Sequence, residues 1–510
     1  MKRTSIAGLF LLAFAVAAFA AGTGEGAAEQ EGTVSLSIMQ TFPASFTQED
    51  NPVIAHLEET LDLELTYEVP PLQNYGERQR LVLASGDFPD VMMFGGNPYD
   101  RILLDAVDND IVQPLTQEIE QAPNIQKWTN PISWAGVRLK NDDEIYAVPG
   151  NTIVRADGIF LRQDWLENLG MSIPASHEVT REEFTEILRR FTTDDPDGNG
   201  ENDTYGLSFA ANDGNLWLPL GWSFGVGRSM GEDWWRPVEG EDFEYMPLKY
   251  ARNHDNMIRA LEYHQMLWNE GYLDQNWPAN TGSLRNERVW SGISGGRWAF
   301  AGHVYGNWLP QVQKNNPNAD ATYIVGVKND EGEVTGPGFG TGMFRINVVL
   351  TPGKEAAAVN YFDYLLSDDG YELLKSGIEG VHYNMVDGEK QFTEEYDNYG
   401  WRTYLALVRR YNDPSFFIPQ TLPQEQIDTM SEWLAQCVEN VVMSADFGFR
   451  PEMVTEQRYI DARDELAQTI SQIVAGQLEV DAWWDALDDW YASGGQEYLT
   501  QVNEWIRNNM

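Results

Sequence analysis

The stretch from residue 34 to residue 94 alternates strand-like and helix-like patterns, and this order constrains the fold more than any other feature of the chain. The strand-like segments have polar and apolar residues in alternation or a short apolar run, and the segments between them have apolar residues at helical spacing. A β-α-β-α-β succession predicts an α/β lobe with a largely parallel sheet. The segments are Val34–Met39, Pro52–Leu61, Leu63–Val69, Tyr75–Ala84 and Asp90–Phe94.

A second α/β lobe is predicted to begin with a strand at Gly158–Arg162. Thr180 and Glu183 have the spacing of a capping box at the start of the helix that follows. Arg297–Ala301 is predicted to be a strand that returns to the first lobe, and the last quarter of the chain to be mainly helical. We therefore expect a first lobe of residues 34–150 plus about 297–350 and a second lobe of residues 151–296 plus about 351–510.

The first residues have the pattern of an export signal. Lys2 and Arg3 precede an apolar run, Ile6–Ala20, which ends in alternating small residues. The run is shorter than the ~20 residues that a membrane-spanning helix needs. We predict a signal peptide at residues 1–21 and a flexible tether at residues 22–33; the alternative is an uncleaved anchor. No cysteine follows the signal, so we expect no lipid attachment there.

The charge and the cysteine content exclude several classes of function. The chain has 79 acidic and 34 basic residues, a formal charge of −45. A surface this acidic repels phosphate, so nucleic acids and anionic lipids are poor partners. The lone Cys437 excludes an internal disulfide and a cysteine-built zinc site. The chain also contains 18 tryptophans, half or more of which are expected to lie in the core or in lobe packing.

Residues 195–203 resemble a calcium-binding loop. Calcium takes six to eight oxygen ligands, and here oxygen-bearing side chains recur at every second position with Gly200 at the sixth. The twelfth position, which is a bidentate Glu in an EF-hand, is Gly206. We predict a structural calcium site; the alternatives are an Asx-rich surface turn and a catalytic metal. The predicted ligands from the first nine positions are Asp195, Asp197, Asn199, the carbonyl of Glu201 and Asp203.

Four motifs together resemble the extracellular solute-binding proteins of ABC importers, in the branch that includes alginate-oligosaccharide binders and lipoprotein-type homologues. They are Leu83–Val91, Arg162–Gly170, Trp268–Asp274 and Gly377–Tyr383. The resemblance implies a two-lobed periplasmic binding protein-like fold of type II, with mixed, mostly parallel sheets flanked by helices and ligand held between the lobes. It also implies a structural calcium ion at the Asp/Asn loop, with Thr204 where the family often has a further Glu ligand.

Residues at the carboxyl ends of strands are expected to line the ligand cleft. Aromatic rings would cover the apolar face of a sugar and polar groups would bind its hydroxyls. Phe42 and Asn97 follow two first-lobe strands, and Tyr305 and Trp308 follow the returning strand. The segment that contains Trp308 is similar to a Gly-x-Trp loop of sugar-binding relatives. The second-lobe candidates, for which core burial is the alternative, are Trp217, Trp222, Trp277, Tyr383 and Trp401.

The sequence therefore predicts a monomeric, periplasmic substrate-binding protein that captures an oligosaccharide and delivers it to an ABC importer permease. The ligand is expected to be neutral or weakly charged, because the chain is so acidic. An exported glycoside hydrolase is one alternative, since Trp-rich clefts and carboxylate pairs also suit that chemistry. A binding protein for another solute, such as a peptide, is the other. No serine-hydrolase elbow, zinc-protease helix or phosphate loop occurs, and we expect no catalysis.

Overall fold

Local signals explain why the first elements form where they do. In a computed structural model, burial alternates along Leu63–Glu68, as expected for a strand with one face in the core. Asn51 caps the helix Pro52–Leu61 by accepting hydrogen bonds from the N–H groups of Val53 and Ile54. The helix ends at Asp62, which adopts the left-handed conformation. The predicted β-α-β-α-β order is confirmed.

The structure describes residues 33–40, 47–70, 74–95, 100–140, 142–150, 157–210, 218–227, 233–340, 345–397 and 407–509. The predicted signal peptide at residues 1–21 and nearly all of the tether at residues 22–33 lie outside these ranges.

The strands are β1 Val34–Met39, β2 Leu63–Glu68, β3 Val91–Gly95, β4 Val148–Gly150, β5 Asp157–Arg162, β6 Glu178–Thr180, β7 Arg236–Pro237, β8 Tyr245–Met246, β9 Gly296–Phe300, β10 Ala321–Ile324, β11 Gly326–Lys328, β12 Val334–Thr335, β13 Phe339–Gly340, β14 Arg345–Val349, β15 Tyr383–Val386, β16 Glu389–Phe392 and β17 Val442–Met443.

The α-helices are α1 Pro52–Leu61, α2 Tyr75–Ser85, α3 Arg101–Asp108, α4 Thr116–Glu120, α5 Pro123–Trp128, α6 Gln163–Asn168, α7 Arg181–Thr193, α8 Asn256–Asn269, α9 Gly282–Trp290, α10 Leu309–Gln313, α11 Glu355–Leu366, α12 Asp368–Ser376, α13 Gln424–Glu439, α14 Gln457–Val474, α15 Ala482–Trp490 and α16 Gln496–Asn509.

The first sheet has the strand order β2-β1-β3-β14-β4. β1 pairs in parallel with β2 and β3, whereas β14 runs antiparallel to both of its neighbours. Helices such as α1 and α11 pack on this sheet and enclose the first hydrophobic core, which includes Leu36, Val91 and Phe362. The three strands that the sequence predicts for the start of a first α/β lobe, β1 to β3, lie in this sheet.

The second sheet has the order β10-β5-β9 and is antiparallel throughout. β9 pairs with β5, with Trp298 opposite Ile159, and the prediction that this strand returns to the first lobe is wrong. The strand that does return is β14, about 50 residues later in the chain. The sheets are mixed, as predicted, but antiparallel pairs are more common than expected.

Two cores flank the second sheet. The second core combines Ile159 and Leu161 with α7, α8 and the C-terminal helices α14 to α16. The third core, on the other side, combines Phe160 and Tyr323 with α13. The helical character of the last quarter is confirmed.

The lobe boundaries stay a prediction, but core membership favours a different division from the one expected. Residues 346–416 contribute to the first core and residues 289–325 to the third core, beside the second sheet. Within the described residues, the chain passes from one group of cores to the other between residues 150 and 157, between 335 and 345, and between 416 and 418.

Candidate functional site

The carboxyl edge of the first sheet brings several strand ends together. β1 and β3 are parallel neighbours, so both end at this edge. β14 runs the other way and begins here, with Arg345 opposite Gly95 on one side and Gly150 on the other. Open α/β folds bind ligands outside this edge of the sheet. Phe42 and Asn97, which come shortly after β1 and β3 in the sequence, lie outside the described residues.

The described residues at this edge carry polar groups in a buried setting. Gln40 is completely buried, and neither polar atom of its amide has a hydrogen-bond partner among the described residues. The Tyr75 hydroxyl, which has a single proton to donate, lies 2.7 Å from the Met93 carbonyl oxygen and 3.1 Å from that of Met39. Burial raises the pKa of Tyr75 and lowers the pKa of Arg345. A buried amide without a partner is unfavourable by about 1–3 kcal/mol, so Gln40 is a candidate for ligand or water contact.

Tyr305 and Trp308 lie on a short helical turn against the third core rather than on an open loop. The Arg297 guanidinium sits 3.7 Å from the centre of the Trp308 ring, and Trp290 stacks beside it with ring centroids 6.4 Å apart. Tyr305 stacks on Trp433. Both predicted ligand residues are half-buried, and their ligand role stays a prediction.

Trp222 and Trp277 belong to the second core. They are 2% and 1% exposed, and Trp277 packs against Phe209 and Trp268. Rings this deeply buried have no face left to cover a sugar, so the prediction that they form ligand platforms is wrong for this conformation. The bulk of an indole makes it an effective core residue, which is the role these two have. Trp217 lies outside the described residues.

Tyr383 lies on the β15–β16 hairpin, where it contacts Phe392, a residue packed against the first core. Its predicted place in the second lobe is therefore wrong. The preceding His382 is buried, and its Nδ1 accepts a hydrogen bond from the Ile378 N–H. Burial lowers the pKa of His382. Trp401 lies outside the described residues.

A cavity of about 270 Å³ lies beside the second core. Its apolar wall is formed by Trp222, Phe224 and Trp234, and its polar wall by Arg236, Asn256 and the turn at residues 329–333. All of the lining residues belong to elements that pack on the second core or to the β11–β12 hairpin. The combination of aromatic faces with a few hydrogen-bonding groups is typical of small-molecule sites.

Asp330 joins this cavity to a neighbouring groove. It forms ion pairs with Arg181, at 2.6 Å, and with Arg259. Burial opposes the charge, but the hydrogen bonds and charges of the two arginines lower the pKa of Asp330. Arg181 also stacks on Phe224, 3.9 Å from the ring centre. The groove, of about 690 Å³, runs open to solvent between α7 and α8.

Sequence reasoning missed the cavity because its walls come from three separate segments, residues 222–236, 256–259 and 329–335. Residues 329–332 do carry a local signal, since Asn329-Asp330-Glu331-Gly332 has the composition of a turn and lies between two short segments that each contain a valine. That pattern predicts a hairpin turn, which the β11–β12 pair confirms. Nothing in the sequence places Arg236 under that turn.

The Asp/Asn loop is held by its own side chains. The Asp195 carboxylate accepts hydrogen bonds from the N–H groups of Asn199 and Gly200, at 3.0 and 2.9 Å. The Asn199 side-chain nitrogen donates to both Asp197 and Asp203, each at 3.1 Å, so it bridges two carboxylates. Burial and the neighbouring carboxylates raise the pKa of Asp197. Within the described chain, no cluster of three or more His, Cys, Asp and Glu side chains converges on a metal position.

The structure accounts for Gly206, where an EF-hand has a glutamate, and for Thr204, where the resembling family often has one. Gly206, at the twelfth position, packs on Leu188 of α7, which leaves no room for a side chain. The Thr204 hydroxyl points away from the loop and donates to the Phe191 carbonyl at 2.7 Å. Neither residue offers a side-chain ligand in this conformation, so the expectation that Thr204 ligates calcium is not met here.

The described helices include none that is both long and apolar enough to cross a bilayer.

Comparisons of the sequence identify relatives that match nearly the whole chain. A polygalacturonan/rhamnogalacturonan-binding protein of Bacillus subtilis, YtcQ, is 24% identical over 506 residues, which is 94% of this chain and 93% of the relative. The lipoprotein LipO of the same organism is 22% identical over 96% of this chain and 95% of its own length. No family model matches the sequence.

Solved structures share the fold over most of the chain. A solute-binding protein of Bifidobacterium longum infantis, described as HMO-binding and ABC-transporter-associated, matches 93% of this chain and 99% of its own with a TM-score of 0.65 and 16% identity. The alginate-binding protein AlgQ2, solved without calcium ion, matches 94% of this chain and 98% of its own, with a TM-score of 0.63 and 17% identity. An EF-hand mutant of Streptococcus pneumoniae FusA, an ABC-transporter substrate-binding protein, matches 93% of this chain and 99% of its own, with a TM-score of 0.61 and 16% identity. The predicted resemblance and fold class are confirmed.

Proposed function

We propose that this protein is the substrate-binding component of an ABC importer and that it captures a carbohydrate for a membrane permease. The observation that carries this proposal is the length of the match. Relatives and solved structures of this class align with more than nine-tenths of the chain, and both lobes are included. Capture of a ligand between two lobes requires both lobes, and the matches extend over both.

The first-sheet edge is the proposed first-lobe contact with the ligand. Gln40 offers an NH2 group and a carbonyl oxygen, and Arg345 offers the N–H groups of its Nη1 atom, a combination that suits sugar hydroxyls. Lobe closure would bury a ligand against this edge and shift an existing open–closed equilibrium. The ligand roles of Phe42, Asn97 and Trp308 remain predictions.

Binding without catalysis is part of the proposal. The relatives YtcQ and LipO and the Bifidobacterium protein are named as binding proteins or as a lipoprotein, and none as an enzyme. A glycoside hydrolase would need two carboxyl groups about 5–9.5 Å apart on either side of the bond to be broken. At the described first-sheet edge, Gln40, Tyr75 and Arg345 supply an amide, a phenol and a guanidinium, and the Glu68 carboxylate at the end of β2 is paired with Arg78.

The test is to incubate the protein with labelled oligosaccharides and to follow both binding and product formation. The panel holds galacturonan, alginate, fructo- and milk-type oligosaccharides of three to six units. We expect titration calorimetry to detect binding of at least one member, a change in Trp fluorescence, and return of the sugar at its original length. Shortened products would favour the hydrolase alternative. Failure of every sugar, combined with binding of a peptide mixture, would favour the other alternative.

We further propose that the Asp/Asn loop binds a structural calcium ion. The donor set fits, since three carboxylates, one amide and the Glu201 carbonyl lie within nine residues. The Asn199 nitrogen now bridges Asp197 and Asp203, as a cation would. Rotation of this amide would present its oxygen instead. Two proteins that share the fold support the calcium site: AlgQ2 was solved without calcium ion, and FusA was solved as an EF-hand mutant.

Export completes the proposal. Solute-binding proteins act outside the cytoplasmic membrane, and the N-terminal pattern predicts the signal that this requires. A periplasmic, monomeric form without a lipid anchor remains our prediction from the sequence; the relative LipO is named as a lipoprotein. The formal charge of −45 makes nucleic acid a poor partner.

A further inference from the structure

We propose that the 270 Å³ cavity beside the second core is a subsite for one neutral sugar ring, and that the carboxylates of the turn at residues 329–333 reject rings that carry a carboxylate. This inference rests on the proposed function and names the ligand class. It separates this protein from its relative YtcQ, whose name specifies a polyuronate.

The size of the cavity limits what it can hold. Small-molecule pockets usually enclose roughly 300–1,000 Å³, and this one lies just below that range. It has room for a single ring, so the remainder of an oligosaccharide would lie outside. On the aromatic wall, the half-buried Trp234 suits the apolar face of such a ring, with the buried Trp222 and Phe224 packed behind it as support.

Arg236 is the principal donor in the cavity. Its guanidinium stacks on the Trp234 ring at 4.0 Å, and no described residue forms an ion pair with it. Gly225 makes room for it, since a Cβ atom there would lie 2.8 Å from the Arg236 Nη2 atom. Burial lowers the pKa of Arg236 to about 10, and the negative charges of Glu331 and Glu333 act in the opposite direction and raise it. The Arg236 guanidinium therefore stays charged at neutral pH. A fixed guanidinium fork can donate to two adjacent ring hydroxyls.

Acceptors complete the polar wall. The Asn256 side chain donates to the Phe224 carbonyl at 2.9 Å, and this contact orients its oxygen as an acceptor. The Thr335 hydroxyl donates to the Val327 carbonyl at 2.7 Å and can accept a second hydrogen bond. Donors and acceptors are therefore both present, as a neutral polyhydroxyl ring requires.

The charges around the cavity disfavour an anion. The cavity is lined by two basic residues, Arg236 and Arg259, and Arg259 already forms an ion pair with Asp330. Glu331 and Glu333 are exposed at the rim and have no ion-pair partner among the described residues. A carboxylate on the ligand would lie close to both, and the repulsion would offset its attraction to Arg236.

The experiment compares matched neutral and acidic trisaccharides: gluco- with glucurono-, galacto- with galacturono-, and manno- with mannurono-forms. Calorimetry on the full chain is expected to show that at least one neutral member binds, with a Kd at least ten times lower than that of its acidic counterpart. The double variant Glu331→Gln/Glu333→Gln should bring the two Kd values within about threefold, mainly by tighter binding of the acidic form. Arg236→Gln should raise the Kd for the neutral form at least tenfold.

Glu262→Gln is the matched control, because Glu262 is an exposed carboxylate in the neighbouring groove. It should leave both Kd values unchanged. Melting curves of all variants establish that they are folded, and the two turn residues are exposed, so folding should not be affected. Equal or tighter binding of the acidic sugars, or Kd values that do not respond to the turn and Arg236 variants, would overturn the inference and leave the proposed function standing. Failure of every sugar, neutral and acidic, would overturn both.

Discussion

Gly206 packs directly on Leu188: a Cβ atom built on the glycine would lie 2.8 Å from the Leu188 Cα atom. This contact joins the end of the Asp/Asn loop to α7, whose buried face lies in the second core. It explains why the twelfth loop position cannot be the glutamate of an EF-hand. The twelfth position makes a close packing contact and supplies no side-chain ligand. A calcium ion in this loop would therefore need other oxygen atoms to complete its coordination.

Gly206→Ala should destabilise the protein. The added methyl group must displace the backbone of α7, and overpacking of this kind is unfavourable by about 1–3 kcal/mol. The midpoint of urea unfolding should fall at an unchanged slope. Gly76→Ala is the control, because Gly76 lies in α2, where an added Cβ atom would meet nothing within 4 Å, and alanine should be neutral or stabilising there. A Gly206→Ala protein as stable as the control would contradict the packing argument.

Calcium should stabilise the protein and a chelator should remove the effect. A ligand at 100 times its Kd adds about 2.7 kcal/mol to the free energy of unfolding, enough to raise the Tm by a few degrees. Asp197→Asn removes one loop carboxylate and should abolish most of this shift. The control Asp242→Asn changes a carboxylate outside the loop and should keep it. Identical Tm values with calcium and with chelator would contradict the proposal that the loop binds calcium.

The sequence predicted those parts of the structure that local chemistry determines. The capping box at Thr180 and Glu183 is present, with both reciprocal hydrogen bonds, and the apolar face of α7 is buried as expected. These features need only residues three or four positions apart. They require no knowledge of the rest of the chain.

The errors concern partners that are distant in sequence. Residues 296–300 have the composition of a strand, but strand-forming residues do not identify which sheet they join, and β9 pairs with β5. Trp222 and Trp277 illustrate the same limit, because an indole suits a core and a sugar site equally well. The cavity around Arg236 could not be foreseen either, since its walls meet only in the folded chain.

His264 should make stability depend on pH between neutral pH and about 4. It is fully buried; its Nε2 accepts a hydrogen bond from the Leu220 N–H, so Nδ1 carries the proton and donates to the Ala260 carbonyl. Burial lowers the pKa of His264 to about 4, against roughly 6.5 in the unfolded chain. The unfolded state therefore takes up a proton first, and stability falls as the pH drops below ~6.5, by about 3 kcal/mol in total.

The measurement is the free energy of unfolding in urea from pH 7.5 to 4, compared between the natural protein and His264→Gln. Carboxylates contribute the same background to both, so the difference isolates His264. We expect the variant to be less stable at pH 7 and to have a shallower decline. His56→Gln on α1, where the side chain is only half-buried, is the control for the loss of one histidine. Parallel curves for the natural protein and His264→Gln would contradict the assigned neutral form.

Asp90 should matter far more for stability than its neighbour Asp87. The Asp90 carboxylate accepts hydrogen bonds from the Ser37 N–H and hydroxyl, at 2.8 and 2.9 Å, and the Ser37 oxygen accepts one from the Asp90 N–H at 2.9 Å. This exchange fixes β1 beside the start of β3. Asp90→Ala leaves the Ser37 N–H without its partner in a part-buried place, so the free energy of unfolding should fall by about 2 kcal/mol. Asp87→Ala removes an exposed carboxylate from the same turn and should change it by less than about 0.5 kcal/mol. Equal effects of the two substitutions in urea unfolding would show that the carboxylate does not hold the strands together.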